Sequence, residues 1–251
     1  MTNTTDITNH IILVTGAASG IGKQIAAQLA AQGAEVIAAD LNLEALEALK
    51  SEVNKANFHI KKVDFNNDQS IISLVSEVEN QIGPIKGLIN CVGILGKSGM
   101  LSEDIDLVNF DLVYQINLRA ALVLSMQVLK AMKPRGYGRI LQLASISGKE
   151  GNPGLVAYSV TKAGLIALVK AQGKEYAPFG ITINALAPAL IDTPMTASFE
   201  PEQRQYLESK IPMNRLGTVE EVASLAAWII SPACSFTTGF AFDLTGGRAT
   251  Y

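Results

Sequence analysis

From residue 11 to its end the chain alternates short, β-branched apolar runs with longer amphipathic stretches, a pattern that leaves few topologies open. IILVT (11–15) precedes IGKQIAAQLAAQ, EVIAA (35–39) precedes LEALEALKSEV, FHIKKV (58–63) precedes QSIISLVSEVENQ, and GLINCV (87–92) leads to a helical stretch from about Asp104 to Met132. GRILQLA (138–144), a helix from about Leu155 to Ala177, ITINALA (181–187), a last helix and AFDL (241–244) complete the series. Parallel strands need crossovers long enough to hold a helix, so this alternation predicts an α/β fold: a doubly wound, mostly parallel seven-stranded sheet with helices on both faces. Thr218 followed by Glu221 reads as a capping box opening the final helix. The hydrophobic pattern never breaks and no repeat or linker interrupts it, which predicts a single domain over residues 1–251. One connection is long. Residues 188–216, with Pro194, Pro201 and Pro212, follow a strand and therefore fall at the carboxyl edge of the sheet, where open α/β folds bind ligands; they read as a lid.

Composition removes several function classes. Hydrophobic residues make up 48% of the 251 and charged residues 17%, enough for a core and too little charge for disorder. The formal net charge is −3 and the basic residues are scattered, which argues against a nucleic-acid partner. Cys91 and Cys234 are far apart with no CxxC, and His10 and His59 are the only histidines, so no metal centre and no histidine-based triad is expected. The N-terminal MTNTTDITNH lacks a basic and an apolar signal region, and no apolar run approaches the ~18 residues needed to cross a bilayer. A cytoplasmic protein without a membrane partner is the expectation.

Three short motifs carry chemistry. TGAASGIG, Thr15 to Gly22, joins the first strand to the first helix. Glycines there let the chain turn sharply and let a pyrophosphate approach backbone N–H groups at a helix N-terminus. Asp40 ends the second strand, where a carboxylate can accept hydrogen bonds from ribose hydroxyls and would repel a 2′-phosphate, favouring NAD over NADP; Asp64, after the third strand, can face the adenine amino group. AYSVTKAG (157–164) places Tyr158 and Lys162 four apart in a helix, hence on one face. An ammonium beside a phenol favours the phenolate and lowers its pKa from about 10 toward neutrality, giving a proton donor and acceptor. Taken singly, each motif also has a plain structural use, as a tight loop, a strand-end turn or a chance helical pair.

Together the motifs resemble the short-chain dehydrogenase/reductase family, in its common form of about 250 residues. TGAASGIG matches that family's TGxxxGIG and Tyr158 with Lys162 its YxxxK; Ser145, thirteen residues before Tyr158, and Asn117 in YQINLRA match its catalytic serine and asparagine. The match extends through NALAPALIDTPM and PMNRLGTVEEVA, from about residue 9 to 247. It implies a Rossmann-type fold, a soluble homotetramer, and NAD bound by Gly16, Ser19, Gly20, Ile21, Gly22, Asp40, Asp64, Phe65, Asn90, Gly93, Tyr158, Lys162, Pro188, Ile191 and Thr193. It further implies Tyr158 as general base or acid, Ser145 as the group polarising the substrate oxygen, Lys162 as the residue lowering the tyrosine pKa, and Asn117 as the holder of a water linking Lys162 to solvent. Ser147 rivals Ser145. The family's NNAG stands here as Asn90-Cys91-Val92-Gly93 and its Pro-Gly as Pro188-Ala189, neither of which removes a catalytic group.

Substrate identity is less constrained. Ile94 to Met100, Gly148 to Gly154 and the lid from Met195 to Met213 are the expected pocket segments, with Lys149, Glu150 and Asn152 as polar contributors. Those three point to a hydroxylated or acidic small molecule, hence a sugar, polyol or sugar-acid dehydrogenase. A 3-oxoacyl thioester reductase is the alternative enzyme, and a dinucleotide-binding scaffold without turnover the alternative of another class. Arg248, in the terminal TGGRATY, is expected to reach a neighbouring subunit's site or to be a solvated tail.

Overall fold

The computed structural model describes residues 5–197 and 201–249. Seven strands form one sheet in the order β3-β2-β1-β4-β5-β6-β7: β1 (Ile11–Thr15), β2 (Glu35–Asp40), β3 (Phe58–Lys62), β4 (Ile85–Asn90), β5 (Gly138–Leu143), β6 (Ile181–Pro188) and β7 (Ala241–Leu244). Every pairing is parallel, which sharpens the mostly parallel expectation. The strands are buried on both sides. Ile12, Val14, Val36 and Ala38 turn to one face, against α1 (Gly20–Ala31), α2 (Leu43–Val53) and α10 (Val219–Ile230); Leu13, Ile37, Ala39 and Leu88 turn to the other, against α3 (Asp68–Gln81), α5 (Ala120–Met132) and α7 (Val156–Tyr176). Two-sided burial is why the strands read as continuous apolar runs rather than alternating ones.

Local signals place the helix ends. Asn42 and Asn67 accept backbone N–H groups at the starts of α2 and α3, as Asp106 does for α4 (Leu107–Tyr114). The capping box is present: Glu221 N–H donates to the Thr218 hydroxyl at 3.3 Å, and Thr218 N–H to the Glu221 carboxylate at 2.9 Å. The predicted Asp104–Met132 helix is not uniform. Between α4 and α5, residues Gln115–Arg119 form a π-helical turn, and the continuous helical run Leu107–Arg135 is long and apolar enough, by length and composition, to cross a bilayer. This corrects the reading that no stretch approaches that length. One side of the run packs against α3, β4 and β5, and the other carries the exposed Leu107, Val108, Leu112, Leu122 and Met126.

Two short helices, α8 (Pro194–Ala197) and α9 (Pro201–Ser209), lie in the long connection after β6, and α6 (Ser147–Glu150) follows β5. The base of that connection is pinned: Asp192 N–H donates to Gly217 O and Gly217 N–H to Leu190 O, at 2.9 and 3.0 Å. Of the predicted lid, residues 198–200 and the Met195 side chain lie outside the described residues.

Candidate active site

The strand order reverses between β1 and β4, so the loops leaving these two strands diverge and open a crevice at the carboxyl edge of the sheet. A cavity of about 400 Å³ occupies it. The loop after β1 enters with Gly16 at φ +69°, where a Cβ would stand 2.8 Å from the Cys91 carbonyl carbon, so no other residue fits this turn without moving the strand beside it. Ser19 precedes α1, yet its side chain makes no capping hydrogen bond and no acidic residue occupies the first turn. The first N–H groups of α1 and the Ser19 hydroxyl are thus presented to the cavity, a donor set suited to phosphate oxygens. Asp40 secures the loop from the next strand, one carboxylate oxygen accepting Ala18 N–H at 3.0 Å and the other Asn42 N–H at 3.1 Å. Asp64 and Phe65 line the same end. From β2 to β5 there are three inter-strand steps, roughly 14 Å at the usual spacing, which leaves length for a dinucleotide lying across β1 and β4.

At the other end stand the four residues assigned to chemistry. Tyr158 and Lys162 rise from the first turns of α7, as four-residue spacing requires, and both line the cavity with Ser145. The contacts differ from the sequence expectation. Lys162 Nζ donates to Leu143 O at 2.6 Å and lies 5.6 Å from the centre of the Tyr158 ring. Burial raises the phenol above its ordinary value, and the neighbouring Ser145 hydroxyl opposes this only in part; no lowering by Lys162 operates in the chain alone. The reason is reach. Helical side chains lean toward the N-terminus, and the long lysine passes the ring to a carbonyl at the end of β5. Burial also pulls the Lys162 ammonium down to about 8, and pushes the neighbouring Cys91 thiol up to about 12.

Asn117 is fully buried in the π-helical turn, a device that recurs at functional sites because it re-aims one residue out of helical register. Its amide closes on the backbone of Ile94, accepting Ile94 N–H at 2.8 Å and donating to Ile94 O at 2.9 Å, with a 3.3 Å contact to Thr161. Its side chain is therefore committed to holding the strand-four loop, and the expected water would have to use another atom. Gly93, on that loop, has Lys162 Nζ 3.2 Å and Asn117 Oδ1 3.5 Å from where a Cβ would sit, so the pair approach only because the side chain is missing.

All the sequence-predicted residues except Asn90 and Asn117 line the cavity. Asn90 instead stitches three strands: it accepts the Thr15 hydroxyl at 2.6 Å and donates to Gln142 at 2.8 Å, and Gln142 donates to Ser125. Ser147, the rival serine, accepts from Asn152 Nδ2 at 2.6 Å, whereas Ser145 faces Tyr158. The lid crosses above, with the Thr193 methyl 3.6 Å from the Cβ position of Gly20 and with Ile191, Thr196 and Leu207 lining the cavity. Two pocket expectations are corrected: Lys149 is paired with Asp243 at 2.8 Å and Glu150 with Arg248 at 2.7 Å, and neither lines the cavity. Arg248 does line it. Rather than reaching a neighbour or trailing in solvent, it folds back into its own chain's cavity, which sequence spacing gave no means to see.

A switch-point crevice with a phosphate-directed glycine turn, a carboxylate at the end of β2 and a buried Ser-Tyr-Lys group defines a nicotinamide dinucleotide-dependent oxidoreductase of the Rossmann type. A sequence profile described as Enoyl-(Acyl carrier protein) reductase matches residues 16–248. The chain is 40% identical over 240 residues to a 2-dehydro-3-deoxy-L-rhamnonate dehydrogenase (NAD(+)) of Sphingomonas sp. (strain SKA58), covering 95% of each chain. It is 36% identical over 245 residues to a 3-oxoacyl-(acyl-carrier-protein) reductase of Rickettsia bellii (strain RML369-C), covering 96% of this chain and 98% of that one. Its fold superposes on the crystal structure of levodione reductase with a TM-score of 0.91 at 32% identity, covering 98% and 100% of the two chains. The chain belongs to the short-chain dehydrogenase/reductase family, and it is an oxidoreductase acting on CH–OH and ketone groups.

Proposed function

We propose that the protein is an NAD-dependent dehydrogenase of a sugar acid or a closely related polyhydroxy compound, built as one domain with residues 188–216 as its lid. Asn117, Ser145, Tyr158 and Lys162 form its catalytic group, and the cavity-lining residues from Gly16 to Asp64 and from Pro188 to Thr193 hold the cofactor. The observation that carries the reaction is that Ser145, Tyr158 and Lys162 line one cavity, with Lys162 Nζ 5.6 Å from the centre of the Tyr158 ring. A nicotinamide dinucleotide, when bound, supplies the hydride acceptor or donor. Tyr158 takes the proton from the substrate hydroxyl in oxidation and returns it in reduction. Ser145 accepts Ser147 N–H at 3.1 Å, which fixes its oxygen and lets its hydrogen bond follow the substrate oxygen as charge develops there. Lys162, buried with its Nζ 5.6 Å from the ring centre, would favour the phenolate on turning from Leu143 O toward the Tyr158 hydroxyl.

NAD over NADP is supported by Asp40, whose carboxylate would face a 2′-phosphate, and by the NAD(+) that the Sphingomonas relative is named for. The sugar-acid reading rests on that relative's substrate and on the polar cavity wall of Ser147, Asn152 and Arg248. The thioester reductase reading is favoured by the 3-oxoacyl-(acyl-carrier-protein) reductases among the relatives, that of Rickettsia bellii and those of Aquifex aeolicus and Haemophilus influenzae included. Two separate apolar faces support a homotetramer: Leu107, Val108, Leu112, Leu122 and Met126 on α4–α5, and Trp228, Phe236 and Phe240 beside β7. Both cysteines are free thiols, in keeping with a soluble cytoplasmic enzyme. Purified protein assayed with NAD and NADP against aldonic acids, aldoses, polyols and 3-hydroxyacyl thioesters tests the reading. NAD-linked oxidation of an aldonic acid or polyol is expected, and Tyr158→Phe should keep NADH binding while kcat falls by about 10²–10⁴. Best turnover of a thioester with NADPH, or a fully active Tyr158→Phe variant, would overturn it.

A further inference from the structure

Arg248 is held where a solvated tail residue would not be. The chain leaves β7 through Thr245, then Gly246 and Gly247, both at positive φ (+58° and +91°), and this reversal throws Arg248 back across the ends of the strands. The turn is anchored, since Met213 N–H donates to Gly246 O at 3.1 Å, Arg248 N–H to Thr245 O at 3.2 Å, and a Cβ on Gly246 would meet Ile211 at 2.6 Å. The Arg248 side chain is only 4% exposed. Its Nε and Nη2 donate to one oxygen of Glu150 at 3.0 and 2.7 Å, and Nη2 also to Asn152 Oδ1 at 3.2 Å. That leaves the two N–H groups of Nη1 without a partner among the described residues.

The free edge belongs to a residue in the wall of the reaction cavity, joined to the Ser145 hydroxyl by a continuous polar chain. Arg248 bonds Asn152, Asn152 bonds the Ser147 hydroxyl, and Ser147 N–H bonds the oxygen of Ser145, which lines the cavity with Tyr158. Charge along the cavity is also sorted. Its acidic lining residues, Asp40 and Asp64, follow β2 and β3 at one side of the sheet, whereas Lys162 and Arg248 are the charged lining residues beyond β4. Glu150 balances the guanidinium through Nε and Nη2 and does not line the cavity, so it orients the group while leaving Nη1 unused.

We infer that Arg248 is the substrate-binding residue that recognises a carboxylate, its Nη1 edge holding the acid end of a hydroxy acid whose carbinol lies at Tyr158 and Ser145, with Glu150 and Asn152 as positioning residues. The substrate class is taken from the proposed function; the arginine geometry stands apart from it. An Arg–carboxylate pair in a largely dry wall is strong and directional, and a guanidinium with a spare edge discriminates against the uncharged analogue.

The test compares D-gluconate and L-rhamnonate with the uncharged D-glucitol and L-rhamnitol, titrated calorimetrically at neutral pH into protein saturated with NADH, where an alcohol cannot be oxidised. Wild type is expected to hold the acids on the order of 10- to 100-fold tighter than the polyols. Arg248→Met should erase that gap with NADH affinity unchanged, and Arg248→Lys should keep part of it. Because Arg248→Met leaves the Glu150 carboxylate without its partner, the double variant Arg248→Met with Glu150→Leu gives the same reading without an unpaired carboxylate beside the site. Equal affinity for acids and polyols in wild type, or a gap that survives in both methionine variants, overturns the inference. Turnover separates it from the proposed function: oxidation of polyols but of no acid would defeat the sugar-acid reading while acid-selective binding through Arg248 stood, and an oxidised acid whose KM ignores Arg248→Met would do the reverse.

Discussion

At the scale of single residues, the buried Lys162 is the group whose state the fold most alters. Its pKa falls to about 8, against an ordinary 10.5, because burial penalises the ammonium. Between those two values the unfolded chain binds more protons than the folded one, so stability from this group rises with pH across the window. Below about 8 both states carry the proton and the full penalty applies; above 10.5 neither does and it vanishes. Lys162→Met is therefore expected to raise the melting temperature of the cofactor-free protein relative to wild type most at pH 7, with the advantage shrinking as pH climbs toward 10. Calorimetric scans at several pH values check this, and a difference that does not vary with pH would show that Lys162 is not buried as a cation. The pairing of Tyr158 with Lys162 was legible from spacing alone, since an α-helix aligns positions four apart. The direction of the phenol's shift was not, because it depends on how much of the ring the surrounding loops cover.

Elements decide how these residues are held. The π-helical turn Gln115–Arg119 is invisible to periodicity, since one irregular turn barely disturbs the apolar spacing of a long helix; the sole hint was an asparagine, a poor helix former, in an otherwise apolar run. Its consequence is that Asn117 acts through the strand-four loop. Asn117→Ala strips partners from both Ile94 N–H and Ile94 O, and each buried group left unpaired costs about 1–3 kcal/mol. Denaturant unfolding should show a loss of at least about 2 kcal/mol, with kcat falling as the loop of Cys91 to Leu95, which lines the cavity, shifts. Unchanged stability would mean that water replaces the amide freely. By contrast, the capping box at Thr218 and the strand cores were readable directly, because caps and apolar runs are local in sequence.

For the whole molecule, the two apolar faces support the proposed homotetramer. Val108 is 80% exposed and Leu107 71%, while Phe236 on the other face is fully exposed. One such face gives a two-fold dimer; two independent ones on the same chain give a closed tetramer of two-fold axes. If the proposed tetramer forms, Leu112→Lys combined with Met126→Lys, placing charge in the α4–α5 face, should convert it to a dimer in sedimentation experiments. A wild-type chain that sediments as a monomer would refute the assembly. In that assembly the apolar length of the Leu107–Arg135 run has two uses, one side for the core and the other for a second subunit.

Sequence by itself determined the parallel α/β architecture, the glycine turn, the strand-end aspartates and the catalytic spacing, because each is written in residues close along the chain or in a repeated period. Only the tertiary structure decided which polar groups meet. Arg248 lies about a hundred residues from Glu150 and Asn152, and the ends of β5 and β7 bring them together through strand order alone. Asn90 and Gln142 are likewise joined by sheet register. Contacts of this kind follow from where strands sit in the sheet, a property that no local pattern encodes.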